Sequence, residues 1–412
     1  MKICVFTLGC KVNASESESL IRGLTETGYE VTEKLEKADL YLVNTCAVTA
    51  EAEKKSRQTA ARIRALNPSA EIIYTGCACQ KDPAAFSAKE NVRLVTGTFD
   101  KGKILGMLEE RGVRIAPEER EFEEMLPPET ERARQYIKIQ DGCDNFCSYC
   151  IIPYLRGRSR SRKKENVKRE IDGAKCAEVV LNGIDLSAYR DGDTDLAGLM
   201  RYLADTEKRV RLGSLEVRVV TEELLSALSR MKNFAQHFHL SLQSGSDAVL
   251  KAMNRHYTAA EFLEKVALIR KYFPYAGITT DLIAGFPAET ETDFQQTLSV
   301  AEKAAFSDIH CFPYSPRSGT KAFAMKDLPA AVKKERLERL LAVKNSCRNA
   351  FVARNYNHEE KAVIEEVSDG YFVGYTGNYL RVYLEKGLPY REIGVIIKEK
   401  FRDGVRAESK GE

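Results

Sequence analysis

No stretch of the 412 residues approaches the roughly 18 consecutive apolar positions that a membrane span needs, and no lipidation motif is present. A membrane partner is therefore not expected. An excess of charge is missing as well: 63 lysines and arginines face 60 aspartates and glutamates, a formal +3. No global basic field draws such a chain to nucleic acid, so any contact of that kind must come from a local patch. A secretory leader is also absent, since the apolar opening MKICVFTLG reads as a strand with no cleavage site after it. The eleven cysteines then point to a cytoplasmic, metal-binding chain rather than to the disulfide framework of a secreted one. The length accommodates about three domains.

Among those cysteines, Cys143, Cys147 and Cys150 form a tight C-x3-C-x2-C triplet inside DGCDNFCSYCIIPYLRGRSRSR, Asp141 to Arg162. Structural zinc prefers four ligands delivered as separated pairs, and three thiolates on one short loop leave a metal one ligand short. An iron-sulfur cluster with one open iron fits this better, because the vacant position can take a cofactor or substrate. A structural zinc loop remains the competing reading. Three further cysteines share one structural position. MKICVFTLG, DLYLVNT and EIIYTG are strand-like, with helical spacing over Ser15 to Thr27 and Ala50 to Leu66, and Cys10, Cys46 and Cys77 follow the three strands. In an open parallel α/β sheet that edge is where ligands sit. The repeat favours a second cluster there over three buried apolar fillers.

The fold class expected is α/β in three parts. Residues 1–110 form an N-terminal open parallel α/β domain, and 111–134, charged and proline-bearing, form an exposed linker. Residues 135–349 hold six candidate strands (QYIKIQ, AEVVLNG, RVRLGSLEV, HFHLSLQ, GITTDLIAG, SDIHCFPYS) alternating with helices. That pattern suggests a partial (βα)6 barrel with the triplet in the loop after its first strand, at the carboxyl face. A long charged helix ends this part. Residues 350–412 then alternate with glycine turns and suggest a small antiparallel β-barrel, a fold that binds oligonucleotides or serves as a scaffold. The run YLRGRSRSRKKENVKR carries Arg156, Arg158, Arg160, Arg162, Lys163 and Lys164 directly after the triplet. It is the footprint expected of RNA docking beside a site, with a merely solvated helix end as the alternative.

Taken together, TLGCKVN, NTCAVT, TGCACQ, the triplet and DGYFVGYTGNYLRVYL resemble the radical S-adenosylmethionine methylthiotransferase family from end to end, and IKIQDGCDNFCSYCIIPYLRGRSRSR looks most like the type acting on threonylcarbamoyladenosine in tRNA. The alternatives are the types acting on isopentenyladenosine in tRNA or on an aspartate of a ribosomal protein, and a noncatalytic iron-sulfur or zinc RNA-binding protein. The resemblance implies a radical-SAM barrel, a C-terminal TRAM module and two 4Fe-4S clusters. Cys143, Cys147 and Cys150 would hold the cluster that cleaves S-adenosyl-L-methionine, and Cys10, Cys46 and Cys77 an auxiliary one. It also implies cofactor contacts from Tyr149, Asn182, Gly183, Glu216, Gln243 and Ser244. One S-adenosylmethionine would methylate sulfur at the auxiliary cluster, and a second would yield the radical that removes hydrogen from C2 of the adenine 3′ of the anticodon, position 37. The implied partners are the tRNA anticodon stem-loop and a small electron donor such as a flavodoxin or ferredoxin. An aromatic C–H has no proton that a side-chain base removes at neutral pH, which agrees with two clusters and no obvious catalytic dyad. Cys79 departs from the usual alanine of the family and leaves open which thiol of CAC binds iron. Cys4, Cys176, Cys311 and Cys347 read as small buried apolar residues.

Overall fold

The structure, a computed structural model, describes residues 1–129 and 132–410. The first strand Lys2–Thr7 is followed by the helix Lys11–Glu26, and the next two strands are Leu40–Thr45 and Glu71–Gly76. All pair in parallel within a six-stranded sheet. Leu40–Thr45 is buried at every position, the continuous apolar run of a strand covered on both faces. The sheet is wider than the sequence suggested. Glu30–Thr32, Val92–Thr96 and Gly112–Arg114 complete it, so the expected linker contributes an edge strand in its first residues. Three residues of G-V-R are too short for alternation to show. Described residues further along that segment lie on the folded body, with Glu123 accepting from the Gly102 amide at 2.7 Å and Glu118 from the Arg158 amide at 2.7 Å.

Six parallel strands follow in sequence order: Arg134–Lys138, Glu178–Asn182, Arg209–Leu212 continued by Ser214–Leu215, His237–Leu240, Gly277–Ala284 and Asp308–Pro313. The third strand breaks at Gly213, so hydrogen bonding divides into a three-stranded and a four-stranded group. The outer face of this open barrel packs helices in one large apolar core that includes Phe238, Leu240, Leu242 and Phe262. Between the last strand and the C-terminal domain runs the helix Ala330–Arg354, five residues past the expected boundary. Five strands then close into a barrel around Ile364, Val382, Val395 and Val405. No described helix is long and apolar enough to cross a membrane.

Buried charge joins the open barrel to the C-terminal domain. Glu178, fully buried, bonds Arg209 and Arg211 on the neighbouring strand, and these guanidiniums donate on to the carbonyls of Lys361, Tyr375, Thr376 and Gly377 in the closed barrel. Unpaired, any one of these charges would cost several kcal/mol to bury.

Candidate active site

Each N-terminal cysteine leaves the carboxyl end of its strand through a tight turn. Gly9 precedes Cys10 with φ of 109°, and a Cβ on it would stand 2.9 Å from the Cys46 sulfur. Gly76 precedes Cys77 with φ of 99°, and a Cβ there would lie 2.5 Å from the Thr45 carbonyl oxygen. Glycine is therefore required where the three loops crowd together. Cys10 caps its helix and is exposed, while Cys46 and Cys77 are 4% and 3% exposed. Cys79 goes the other way, into the apolar core behind the sheet, with its sulfur 3.4 Å from the Thr45 hydroxyl. Cys77, not Cys79, faces the site.

The second triplet meets the first. One cavity of about 280 Å³ is lined by all six cysteines, Cys10, Cys46, Cys77, Cys143, Cys147 and Cys150. Cys150 is near enough that a Cys77 thiolate would raise its pKa. Burial pushes the Cys143 and Cys150 thiols up to about 12, with the Asp185 carboxylate adding to the first and Cys147 to the second, and burial pushes Cys46 up to about 11. Free thiols there stay protonated at neutral pH, so metal must displace protons to bind. Among the described residues neither triplet gathers its sulfurs within 4.8 Å of one another. Sulfurs sharing one tetrahedral zinc stand about 3.8 Å apart, given Zn–S near 2.3 Å. The donor sets suit a larger, multi-iron group.

Other expected residues divide. Tyr149, Gly183, Glu216 and Gln243 line the cavity. Gln243 adopts φ of 68°, and its amide bonds to the Asp281 carbonyl at 2.8 Å, which turns the chain inward at the strand end. Asn182, 2% exposed, is not among the residues lining the cavity, though both its side-chain amide atoms lack a partner. Ser244 does not reach the cavity. Its hydroxyl, fully buried, pairs with Thr297 at 3.2 Å and accepts from the Ser246 amide, holding a helix start.

Two lining residues went unnoticed in the sequence. Arg255 donates to the Cys147 sulfur at 3.3 Å and to the Ser241 carbonyl at 3.1 Å. Asp185 accepts from the Asn145 side chain at 2.7 Å and lies 3.8 Å from the Cys143 sulfur, with burial and the Glu216 carboxylate raising its pKa. An acid two positions beyond Gly183, itself expected in the site, was the one available signal for Asp185. Arg255 follows a helix with no such marker.

Residues 2–97 match the Uncharacterized protein family UPF0004 and residues 137–301 the Radical SAM superfamily. The chain is 39% identical to the threonylcarbamoyladenosine tRNA methylthiotransferase MtaB of Bacillus subtilis, over 97% of this chain and 93% of that protein. It belongs to the radical S-adenosylmethionine tRNA methylthiotransferases. A tRNA-2-methylthio-N(6)-dimethylallyladenosine synthase of Moorella thermoacetica is 37% identical over 83% of this chain and 82% of its own. Among solved structures, the radical S-adenosylmethionine methyltransferase TsrM of Kitasatospora setae shares the fold with a TM-score of 0.57 at 14% identity, covering 78% of this chain and 77% of that one. Membership brings S-adenosylmethionine and a 4Fe-4S cluster, for which the Cys143, Cys147 and Cys150 set is a fitting cradle.

In this methylthiotransferase the basic run is mostly not a surface. Arg156 is fully buried, bonding Glu16 at 2.9 Å, Asp141 at 3.0 Å and the Asn13 side chain at 2.7 Å. Arg160 pairs with Asp141 at 3.3 Å, and Arg162 with Glu124 at 2.8 Å and with Glu170. Lys101 and Lys138 complete the network on Glu16. These three arginines have no face free for phosphate. Arg156 ties the N-terminal helix Lys11–Glu26 to the barrel, and its charge offsets part of the rise that burial imposes on the Cys77 thiol. Of the six basic positions, Arg158 and Lys163 are exposed and Lys164 is half-buried.

Proposed function

We propose that the protein methylthiolates C2 of N6-threonylcarbamoyladenosine at position 37 of tRNA, with two S-adenosylmethionine molecules and two 4Fe-4S clusters. The observation that carries this reading is that two complete cysteine triplets, from separate domains, line one cavity. A second cluster beside the first would place a sulfur carrier at the radical site. When bound, these cofactors supply the methyl group, the sulfur and a hydrogen-abstracting 5′-deoxyadenosyl radical.

The chain's own residues hold and shield them. Cys10, Cys46 and Cys77 hold the auxiliary cluster, and Cys143, Cys147 and Cys150 the other. Arg255 places a positive charge on the Cys147 side, which favours anionic sulfur. Tyr149 closes the cavity against the apolar group of Met253, Phe286 and Tyr314. Arg158, Lys163 and Lys164, with exposed Tyr154, present the tRNA-facing remainder of the basic run. A small flavodoxin or ferredoxin supplies the electron.

The test is mass spectrometry of nucleosides from an anticodon stem-loop bearing the threonylcarbamoyl group, after incubation with anaerobically reconstituted protein, S-adenosylmethionine and reductant. A methylthio product on that nucleoside is expected. Product only on dimethylallyladenosine overturns the substrate assignment, and 5′-deoxyadenosine without any methylthio product overturns the reaction.

A further inference from the structure

Side chains on a strand alternate between faces, and the fourth barrel strand sorts them by chemistry. Phe238, Leu240 and Leu242 point outward into the core. His237 and His239 line a second cavity, deeper along the strand and shared with Tyr375, Tyr379 and Arg381 of the C-terminal domain, while Ser241 and Gln243 line the cysteine cavity. One inward column thus contributes to the walls of both spaces. The deeper cavity measures about 320 Å³, within the usual range of roughly 300–1,000 Å³ for small-ligand sites. Its wall includes Lys11, the residue after Cys10, so it begins where the auxiliary triplet ends.

The polar groups of this cavity are nearly all engaged. Arg211 is tied to Glu178, Arg381 to Asp403, and Arg348 to the Asp403 carbonyl. His239 and His310 share the Asp281 carboxylate at 3.2 and 3.0 Å, and Lys344 takes Asp308 at 3.2 Å. Tyr379 stacks on His237 with ring centroids 4.6 Å apart. Lys11, at the exposed edge of the cavity, is the one lining cation whose charge makes no hydrogen bond or ion pair with a described residue, and the buried His237 Nδ1 has no partner either.

We propose that this cavity takes the N6 side chain of the target adenine, and that Lys11 binds its carboxylate. The inference rests on the proposed substrate and adds the residue that selects it. A threonylcarbamoyl group carries one carboxylate, a urea and a hydroxyl, and the wall offers one unpaired cation beside histidine and tyrosine donors. With adenine C2 at the cysteine cavity, the N6 substituent enters the space next to it. A dimethylallyl group there would desolvate Lys11 and the histidines with no bond in return.

The test compares three stem-loops, bearing threonylcarbamoyladenosine, its carboxyl methyl ester or dimethylallyladenosine, with the parent protein and with Lys11→Met and Lys11→Arg. Iron per chain is measured on each variant, and Lys11→Gln carries the same comparison should methionine disturb Cys10. The parent is expected to show a KM for the ester roughly ten- to a hundredfold above that for the acid, the loss of one charge-assisted hydrogen bond. Lys11→Met should lose that preference by a rise in KM for the acid alone, and Lys11→Arg should keep it. Equal KM for acid and ester in the parent, or an undiminished preference in Lys11→Met, overturns the role of Lys11 while leaving the substrate standing. A parent that turns over only dimethylallyladenosine overturns the substrate reading and this inference together.

Discussion

Removing the Arg156 guanidinium separates its two possible roles, RNA contact and buried keystone. The side chain is fully buried and spans Glu16 of the N-terminal domain and Asp141 of the barrel, at 2.9 and 3.0 Å. Taking one partner from a buried ion pair costs about 3–5 kcal/mol, because the other charge stays uncompensated. Here Lys101, Lys138 and Arg160 remain near the two carboxylates, so the lower end, about 3 kcal/mol, applies to Arg156→Met. At 2–4 °C per kcal/mol for a domain of this size, the melting temperature should fall by roughly 6–12 °C. Arg156→Lys should recover only part of the loss, since a point charge cannot fork between Glu16, Asp141 and Asn13. Circular dichroism melts under anaerobic conditions read the first quantity, and RNA binding against salt reads the second. The reasoning is refuted if Arg156→Met melts with the parent while the slope of log K on log salt shrinks by about 0.7, the mark of one lost phosphate contact on a single strand.

The same network makes the fold acid-sensitive. Burial alone would raise the Asp141 carboxyl, but Arg156, Lys138 and Arg160 outweigh it and hold the group at about 2. A depressed folded pKa contributes stability that is complete above the unfolded value near 4 and is lost as pH falls toward 2, here on the order of 2 kcal/mol. Asp141→Asn should flatten the denaturant-midpoint profile across that window, and a profile parallel to the parent's contradicts the assignment. Cys77→Ala should remove one cluster's iron, whereas Cys79→Ala should remove none, because Cys79 faces the apolar core; equal losses would place the ligand wrongly. With Arg158, Lys163 and Lys164 the only ones of the six named positions available, those six should contribute a salt slope of about −2 rather than −4. Changing all three to glutamine and finding no change in slope would remove the segment from RNA binding.

What the sequence disclosed follows from local chemistry. A thiol after each of three apolar strands, and three thiols on one loop, are patterns that spacing alone makes visible, and the six barrel strands lie where alternation placed them. The burial of Arg156, Arg160 and Arg162 was hidden because charge runs say nothing of distant partners: Glu16 is 140 residues from Arg156. Lys101 is hidden in the same way, a lysine at 0% exposure that Glu16 and Asn44 explain. Arg255 and Asp185 became legible only when folding brought them onto Cys147 and Cys143, and Lys11 only when its neighbours proved to be paired.

The central claim is that one cavity holds two clusters on separable cysteine sets. Iron and acid-labile sulfide per chain, measured after anaerobic reconstitution, test it in the parent, in Cys10/Cys46/Cys77→Ala and in Cys143/Cys147/Cys150→Ala. About two four-iron clusters in the parent and one in each variant is the predicted result. One cluster in the parent, kept in full when Cys10, Cys46 and Cys77 are removed, would contradict it and leave a radical enzyme with no sulfur to insert.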